Sequence, residues 1–272
     1  MKWLSRLLAG LLAVALMVTA VAWVSNGTIW NSDYVVKTAS DQKIYDRIAK
    51  ALTPVLISQQ STGDQRFLLG QLITPSLVRQ HLEGPIFNLL QYYRYGGTPP
   101  SLNFNDIKQQ FDALRLAPPP LVAALLAKPV TLSNPGIDRL AMGASRQASQ
   151  QRWLAPLAAG LIAFIIVIIS GRRRWNVLAG AAVGATVLTA IVAGLSLLLP
   201  SITTMGLSTT VWSALTPIFK GLGEAMARDV SQQLLWWSVG FAVLAVLMGL
   251  GGLAAGASRK FRRRPEKTVI AD

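Results

Sequence analysis

The residues that most often carry chemistry in proteins are few in this chain. His81 is the single histidine, cysteine is absent, and there are twelve acidic residues. A zinc site or a Ser-His-Asp triad needs several partners that converge on the histidine. No fingerprint of a metalloprotease, a serine hydrolase or a nucleotide-binding loop occurs. The sequence therefore predicts no cofactor and no metal site, and it favours an exposed helix position for His81 over a catalytic one.

A cluster of aromatic and basic residues offers recognition instead of catalysis. Tyr92, Tyr93, Arg94 and Tyr95 stand together directly before a pair of glycines. Tyrosine and arginine are favoured at binding hot spots, and the glycines would end a helix and expose the cluster. We therefore interpret these four residues as a candidate contact with a partner. The alternative is that the tyrosines cover the core of their own domain, with their hydroxyl groups in water.

Four uncharged apolar runs dominate the rest of the chain, at Leu7–Val24, Trp153–Ser170, Val177–Leu199 and Leu234–Ala257. Each run supplies about the 17–25 residues that a helix needs to cross the hydrocarbon core of a bilayer. A helix is the natural form for such a run because it bonds every backbone amide internally. The sequence therefore predicts an all-α membrane protein with four transmembrane helices and a mostly helical domain between the first two.

The basic residues beside these runs predict the orientation in the membrane. Two tight clusters act as topology determinants in our interpretation: Arg172, Arg173, Arg174, Arg259, Lys260, Arg262, Arg263 and Arg264. Cytoplasmic loops carry the excess of lysine and arginine, and both clusters are cytoplasmic only if both termini are cytoplasmic too. Residues 25–152 and 200–233 then lie on the extracytoplasmic side. We expect a bacterial inner membrane.

The net charge of +14 follows mostly from this topology. The predicted cytoplasmic pieces hold eleven basic and two acidic residues, whereas residues 25–152 hold thirteen basic and eight acidic residues. We therefore expect the lipid bilayer as a partner and no nucleic acid. Contact between the basic tail and anionic lipid headgroups is a second interpretation of the same charges.

The same boundaries predict the domain organisation. An N-terminal transmembrane anchor (residues 1–24) precedes a helical extracytoplasmic domain (25–152) and a second transmembrane helix (153–171). There follow an arginine turn with a third helix (172–199), an extracytoplasmic loop with an amphipathic helix (200–233), a fourth helix (234–258) and a basic cytoplasmic tail (259–272). A cleaved signal peptide is an alternative for the first segment, because Ala20-Val21-Ala22 resembles a cleavage site.

Capping residues and prolines predict where several helices begin and end. Ser40 or Asp41 would cap a helix, and Thr74-Pro75 would start another that breaks at Gly84-Pro85 before a further stretch to Tyr95.

In the second external loop, Thr216-Pro217 would start an amphipathic helix. Its apolar face packs under the larger external domain, which we favour, or it lies at the membrane interface or docks a partner.

Small residues in the last two apolar runs predict close packing of helices. Gly180 and Gly184 in the third run, and Gly252 and Gly256 in the fourth, are spaced four residues apart. This spacing lets helix backbones approach each other in membranes. The contacts would lie within one chain or, alternatively, between copies in a homo-oligomer.

These features favour a binding function over transport or catalysis. No ionisable residue lies within the four apolar runs, although such residues usually mark ion pathways. We therefore expect an extracytoplasmic binding or scaffolding component of a membrane assembly, with a protein partner or a homo-oligomer. One alternative is an oligomeric channel or transport accessory subunit. Another is a membrane-embedded enzyme that uses two external carboxylates as an acid–base pair.

Overall fold

The computed structural model describes residues 2–57, 63, 67, 73–113, 118, 123, 130–132, 135–198 and 210–262. Its helices are α1 (Lys2–Gly27), α2 (Ser32–Asp41), α3 (Ile44–Ile57), α4 (Pro75–Tyr95), α5 (Asn105–Ala113), α6 (Pro135–Ile169), α7 (Arg174–Ser196) and α8 (Thr210–Arg262). A 3-10 turn, Gly171–Arg173, lies between α6 and α7. The two-residue strands β1 (Ser101–Leu102) and β2 (Val130–Thr131) pair antiparallel.

Four of these helices, α1, α6, α7 and α8, are long and apolar enough to cross a membrane. The helices α1 and α8 each contain one of the four apolar runs, and α6 and α7 each contain nearly all of one. The prediction of an all-helical chain with four such helices is confirmed.

The chain divides into two compact units. The span unit consists of Met1–Ala22, Gln151–Gly194 and Gln232–Asp272, and the interspan unit consists of Trp23–Gln150 and Leu195–Ser231. The divisions fall within about five residues of the ends of the apolar runs. The helices α1, α6 and α8 each contribute residues to both units.

The helices of the span unit pack through small and branched side chains. One cluster joins all four helices through Leu12 of α1, Ile166 of α6 and Leu178 of α7, with Met248 of α8 packed against it. On the outer faces, large apolar side chains such as Phe164 are exposed. An apolar surface of this extent is a liability in water, whereas in a bilayer it faces hydrocarbon.

The glycines predicted to pack helices differ in their surroundings. A Cβ added to Gly184 would lie 3.0 Å from the Cβ of Ala13, and one added to Gly252 would lie 3.2 Å from the Cβ of Trp175. At Gly180, no described atom lies within 4 Å of that position. Gly256 belongs to α8, and its surroundings are outside the described part of the structure. Gly184 therefore stands where α7 approaches α1, and Gly252 where α8 approaches α7.

The interspan unit has a core of its own. It joins α2, α3, α4 and the beginning of α8 through buried apolar residues: Ala39, Ile44, Tyr45, Ile48, Ala49, Val78, Leu215 and Ile218. Burying one isoleucine of this kind stabilises the fold by roughly 1.5–3 kcal/mol. Within this unit Asn26 also donates a hydrogen bond of 2.8 Å to the carbonyl of Ala148 in α6. The apolar face of the α8 segment thus packs in the core of the unit, in agreement with the interpretation we favoured.

One helix start differs from the sequence prediction. Ser40 and Asp41 close α2 instead of capping the next helix, and Lys43 adopts a φ of 52° before α3 begins at Ile44. A left-handed residue ends a helix because it turns the chain away from the helix axis. The helix α2 itself was not predicted; it starts at Asn31, whose side chain accepts hydrogen bonds from two backbone N–H groups of the first turn.

The prolines interrupt helices less than predicted. Thr74 does cap α4, since its hydroxyl accepts the N–H of Leu77 at 3.2 Å, but α4 then continues through Pro85 without a break. The helix α8 begins at Thr210, so Pro217 lies inside it and not in its first turn. A proline removes one backbone hydrogen bond and adds a clash. The burial of side chains next to Pro217, such as Ile218, offsets that cost.

The matched glycines of α7 give a test of this packing. We expect Gly184→Leu to lower the free energy of unfolding by about 1–3 kcal/mol, because overpacking displaces neighbouring atoms. Gly180→Leu, one turn away on the same helix, should leave stability nearly unchanged. The measurement is thermal unfolding of the purified protein in detergent. Equal destabilisation by both substitutions would contradict the assignment of Gly184 to the contact with α1.

Candidate functional site

The end of α4 is set by two glycines in conformations that other residues rarely adopt. Gly96 has a φ of 79° and Gly97 a φ of 113°, and the N–H of Gly96 donates to the carbonyl of Tyr92 at 2.8 Å. Positive φ carries no steric cost for glycine because it has no Cβ. A Cβ on Gly96 would also lie 3.6 Å from the guanidinium of Arg146 in α6. The helix therefore ends directly after Tyr95.

Tyr93 ties this end of α4 to α6. Its hydroxyl donates to the carboxylate of Asp138 at 3.2 Å. Asp138 is only 5% exposed and lies in the first turn of α6, where the positive end of the helix dipole stabilises a negative charge. Burial, followed by the charge of Asp138 and the hydrogen bond to it, raises the pKa of Tyr93 to about 12. We call this pair the clasp.

A second tyrosine–aspartate pair ties α2 to α8 in the same unit. The hydroxyl of Tyr34 donates to the carboxylate of Asp229. Burial, followed by that hydrogen bond, raises the pKa of Tyr34 to about 12. A phenol with so high a pKa keeps its proton at neutral pH and remains a donor. Both pairs thus act as fixed links between helices that are distant in the sequence.

The four residues predicted as a partner contact face different surroundings. The rings of Tyr92 and Tyr93 lie 5.7 Å apart in a tilted arrangement, and Tyr93 is engaged by the clasp. Tyr95 is 69% exposed, and the guanidinium of Arg94 lies 5.5 Å from the centre of its ring. This distance is within the range of a cation–π interaction. Arg94 and Tyr95 are therefore the part of the cluster that a partner can reach.

The exposed part of the cluster lies on α4, next to the clasp in the sequence. Tyr95 is exposed there, and the guanidinium of Arg94 lies beside its ring. We define Arg94 and Tyr95 as the clasp surface. Its chemistry is that of a hot spot, an aromatic ring beside an arginine. On α6, Ile137 and Leu140 are 58% and 77% exposed.

The other residues singled out in the sequence are also placed. His81 is half-buried, with its ring 5.8 Å from that of Phe104. In the described parts of the chain, no three His, Asp or Glu residues lie together as a metal site would require. The first arginine cluster forms the turn between α6 and α7, and Arg259, Lys260 and Arg262 lie at the end of α8. Arg263 and Arg264 lie outside the described residues.

Sequence reasoning missed the two aspartates that hold the tyrosines. Asp138 carried a usable signal, because it follows Pro135 by three residues in what proves to be the first turn of α6. For Asp229 there was none, since 195 positions separate it from Tyr34 and no local pattern links them.

Comparison with protein-family models, with curated proteins and with solved structures finds no match for this chain. The features of this chain that bear on its function are therefore the clasp surface and the four helices that are long and apolar enough to cross a membrane.

The clasp has a measurable consequence for stability. Replacement of Tyr93 by Phe removes a hydrogen bond to a buried carboxylate, and we expect a loss of roughly 1–3 kcal/mol in the free energy of unfolding. Tyr95→Phe, two residues away and exposed, should have almost no effect. Urea unfolding at pH 7 measures both variants. Equal stability of the wild type and Tyr93→Phe would show that the link does not hold α4 to α6.

The link from Tyr93 to Asp138 should make the fold less stable as the pH rises above 10. Between pH 10 and pH 12 the unfolded chain loses the phenolic proton of Tyr93, whereas the folded chain keeps it because its pKa is about 12. The folded state then binds more protons, so stability is complete below pH 10 and falls as the pH rises. The decrease of the free energy of unfolding between pH 10 and pH 12 should be smaller in Tyr93→Phe than in the wild type. It should be unchanged in Tyr95→Phe.

Proposed function

We propose that this chain is a multi-pass protein of a bacterial inner membrane, with the interspan unit on the extracytoplasmic side and both termini in the cytoplasm. Its function is to bind or scaffold another component of a membrane assembly through the clasp surface. The observation that carries this proposal is the exposed ring of Tyr95 beside Arg94, next to a rigid link to α6.

The distribution of charge supports the orientation. In the described residues, the span unit holds no aspartate or glutamate, and its basic residues lie at the beginning of α1, in the turn before α7 and at the end of α8, apart from Arg152. The interspan unit carries acidic as well as basic residues. An excess of arginine and lysine on one side of the helices is typical of the cytoplasmic side.

The tryptophans support the positions of the membrane boundaries. Trp23 lies seventeen residues after Arg6 in α1, and in α8 Trp237 precedes Arg259 by 22 residues. These separations correspond to about 25 and 33 Å of helix, close to the thickness of the hydrocarbon core, about 30 Å. Tryptophan is enriched at the edges of that core.

Rigidity supports binding at the clasp surface. A partner that binds to a surface already held in one conformation pays less ordering entropy. The turn at Gly96 and the link from Tyr93 to Asp138 both restrict the end of α4. The two buried links also occupy Asp138 and Asp229 with tyrosine hydroxyls, which speaks against their use as a catalytic acid–base pair.

Cysteine labelling tests the topology, because the chain has no native cysteine. Gln80→Cys and Gln109→Cys lie on exposed positions of the interspan unit and should react with an impermeant maleimide in spheroplasts. Ser170→Cys and Ala271→Cys should react only after lysis. Ser170 is preferred over Gly171, whose φ of 46° would strain a cysteine. Labelling of Ser170→Cys from outside would overturn the orientation.

Photo-crosslinking tests the contact in native membranes. A photoreactive residue at Tyr95 should give a discrete crosslinked product, and one at Gln80, which is also exposed on α4, should not. Arg94→Ala should weaken the product at Tyr95 by about ten-fold or more, the effect of removing a hot-spot residue, with thermal stability unchanged. A product of twice 29.3 kDa would identify a second copy as the partner. The same product from Gln80 would contradict a specific surface.

A further inference from the structure

Contacts within the span unit bring its basic segments to one end. The hydroxyl oxygens of Ser5 and Ser170 lie 3.4 Å apart, so the beginning of α1 meets the end of α6. The Cβ of Trp175 lies 3.2 Å from the Cβ position of Gly252, so the beginning of α7 meets the last turns of α8. The chain turns from α6 into α7 at Gly171–Arg173. All four helices therefore have an end in this region, which we call the basic end.

Among the described residues, the basic end carries positive charges that no acidic side chain of the span unit balances. Arg6, Arg173 and Arg174 are exposed there, and α8 continues beyond Gly252 to Arg262 and includes Arg259. Throughout the described residues of the span unit there is no acidic side chain to neutralise these groups. Like charges held close together repel, so a bound anion would lower the energy of this arrangement.

The depth of these charges fits the headgroup layer of a bilayer. Trp175 is half-buried against Gly251 and Gly252, and the guanidinium of Arg174 lies 5.7 Å from its ring. Tryptophan marks the edge of the hydrocarbon, and the headgroup layer extends about 5–8 Å beyond that edge. Arg173 and Arg174 lie directly at this boundary.

We propose that the basic end is a binding site for an anionic phospholipid, with Arg6, Arg173 and Arg174 around its phosphate. Arginine presents a planar set of donors that matches phosphate oxygens. A lipid fits better than free phosphate, because exposed apolar side chains such as Ile168 and Leu253 continue from the basic end along the helices and can cover acyl chains. This proposal holds for either orientation of the chain in the membrane.

Lipid retention by the purified full-length protein tests the proposal. The protein is equilibrated in micelles with equimolar phosphatidylglycerol and phosphatidylcholine, washed, and analysed for bound lipid by mass spectrometry. The wild type should retain phosphatidylglycerol preferentially. The triple variant Arg6→Gln, Arg173→Gln, Arg174→Gln should lose this preference by about five-fold for each basic residue removed. Equal retention of both lipids by the wild type would overturn the proposal.

A matched control removes the same charge elsewhere. Lys37→Gln, Lys50→Gln and Arg139→Gln are at exposed positions of the interspan unit, and together they should leave the preference intact. A loss as large as that of the first variant would mean that net charge alone attracts the lipid, and the specific site would be rejected.

Two further measurements use conditions in which folding is not in question. Raising the salt from about 0.05 M to about 0.5 M NaCl shortens the screening length and should release phosphatidylglycerol from the wild type. Inorganic phosphate at the same ionic strength should release no more lipid than sodium chloride does. Greater release by phosphate would assign the site to the free anion and not to a lipid.

The double variant Arg173→Lys, Arg174→Lys should keep part of the preference for phosphatidylglycerol, because it keeps the charge and loses the planar donors.

Discussion

A backbone amide in hydrocarbon has no water to bond, so each one must find its partner within its own helix. The four long helices of this chain meet that condition even where the sequence would otherwise disturb them. The helix α6 continues through Pro156. The hydroxyls of Thr19 and Thr186 also donate to carbonyls one turn earlier in their own helices, at 2.8 and 2.9 Å. Apart from the one hydrogen bond that Pro156 removes, the backbone of the span unit is therefore bonded within its own helices.

Because helices in hydrocarbon gain little from burying one apolar surface against another, their association depends on close packing and a few hydrogen bonds. Gly184 against Ala13 and Gly252 against Trp175 provide the close packing, and Ser238 donates to the carbonyl of Thr186 across two helices at 3.1 Å. The interspan unit is stabilised mainly by the burial of apolar side chains. There, Ile44, Ile48 and Val78 are withdrawn from water, and the hydrophobic effect contributes directly.

The sequence predicted features whose cause is local or compositional, and it failed where the cause is tertiary. Apolar runs of sufficient length determine the four helices. The cap at Thr74 and the stop at Gly96 depend on neighbouring residues, and both were predicted correctly. The continuation of α4 through Pro85 depends on its packing against α2 and α3, which no local pattern reveals. For the same reason the sequence placed Tyr93 with Tyr95, although Tyr93 is bonded to a residue 45 positions away.

Tyr93 and Tyr95 have different roles in the proposed binding function. An exposed aromatic ring on an unrestrained helix end would lose conformational entropy on binding and would contribute little. Here the helix end is already restricted, because Tyr93 bonds Asp138 and Gly96 reverses the chain beside Arg146. Asp138 lies on α6, one continuous helix from Pro135 to Ile169. Tyr95 is thus only two positions from a residue that is hydrogen-bonded to this helix, so a partner bound at Tyr95 in the proposed function would meet a helix end that is already fixed.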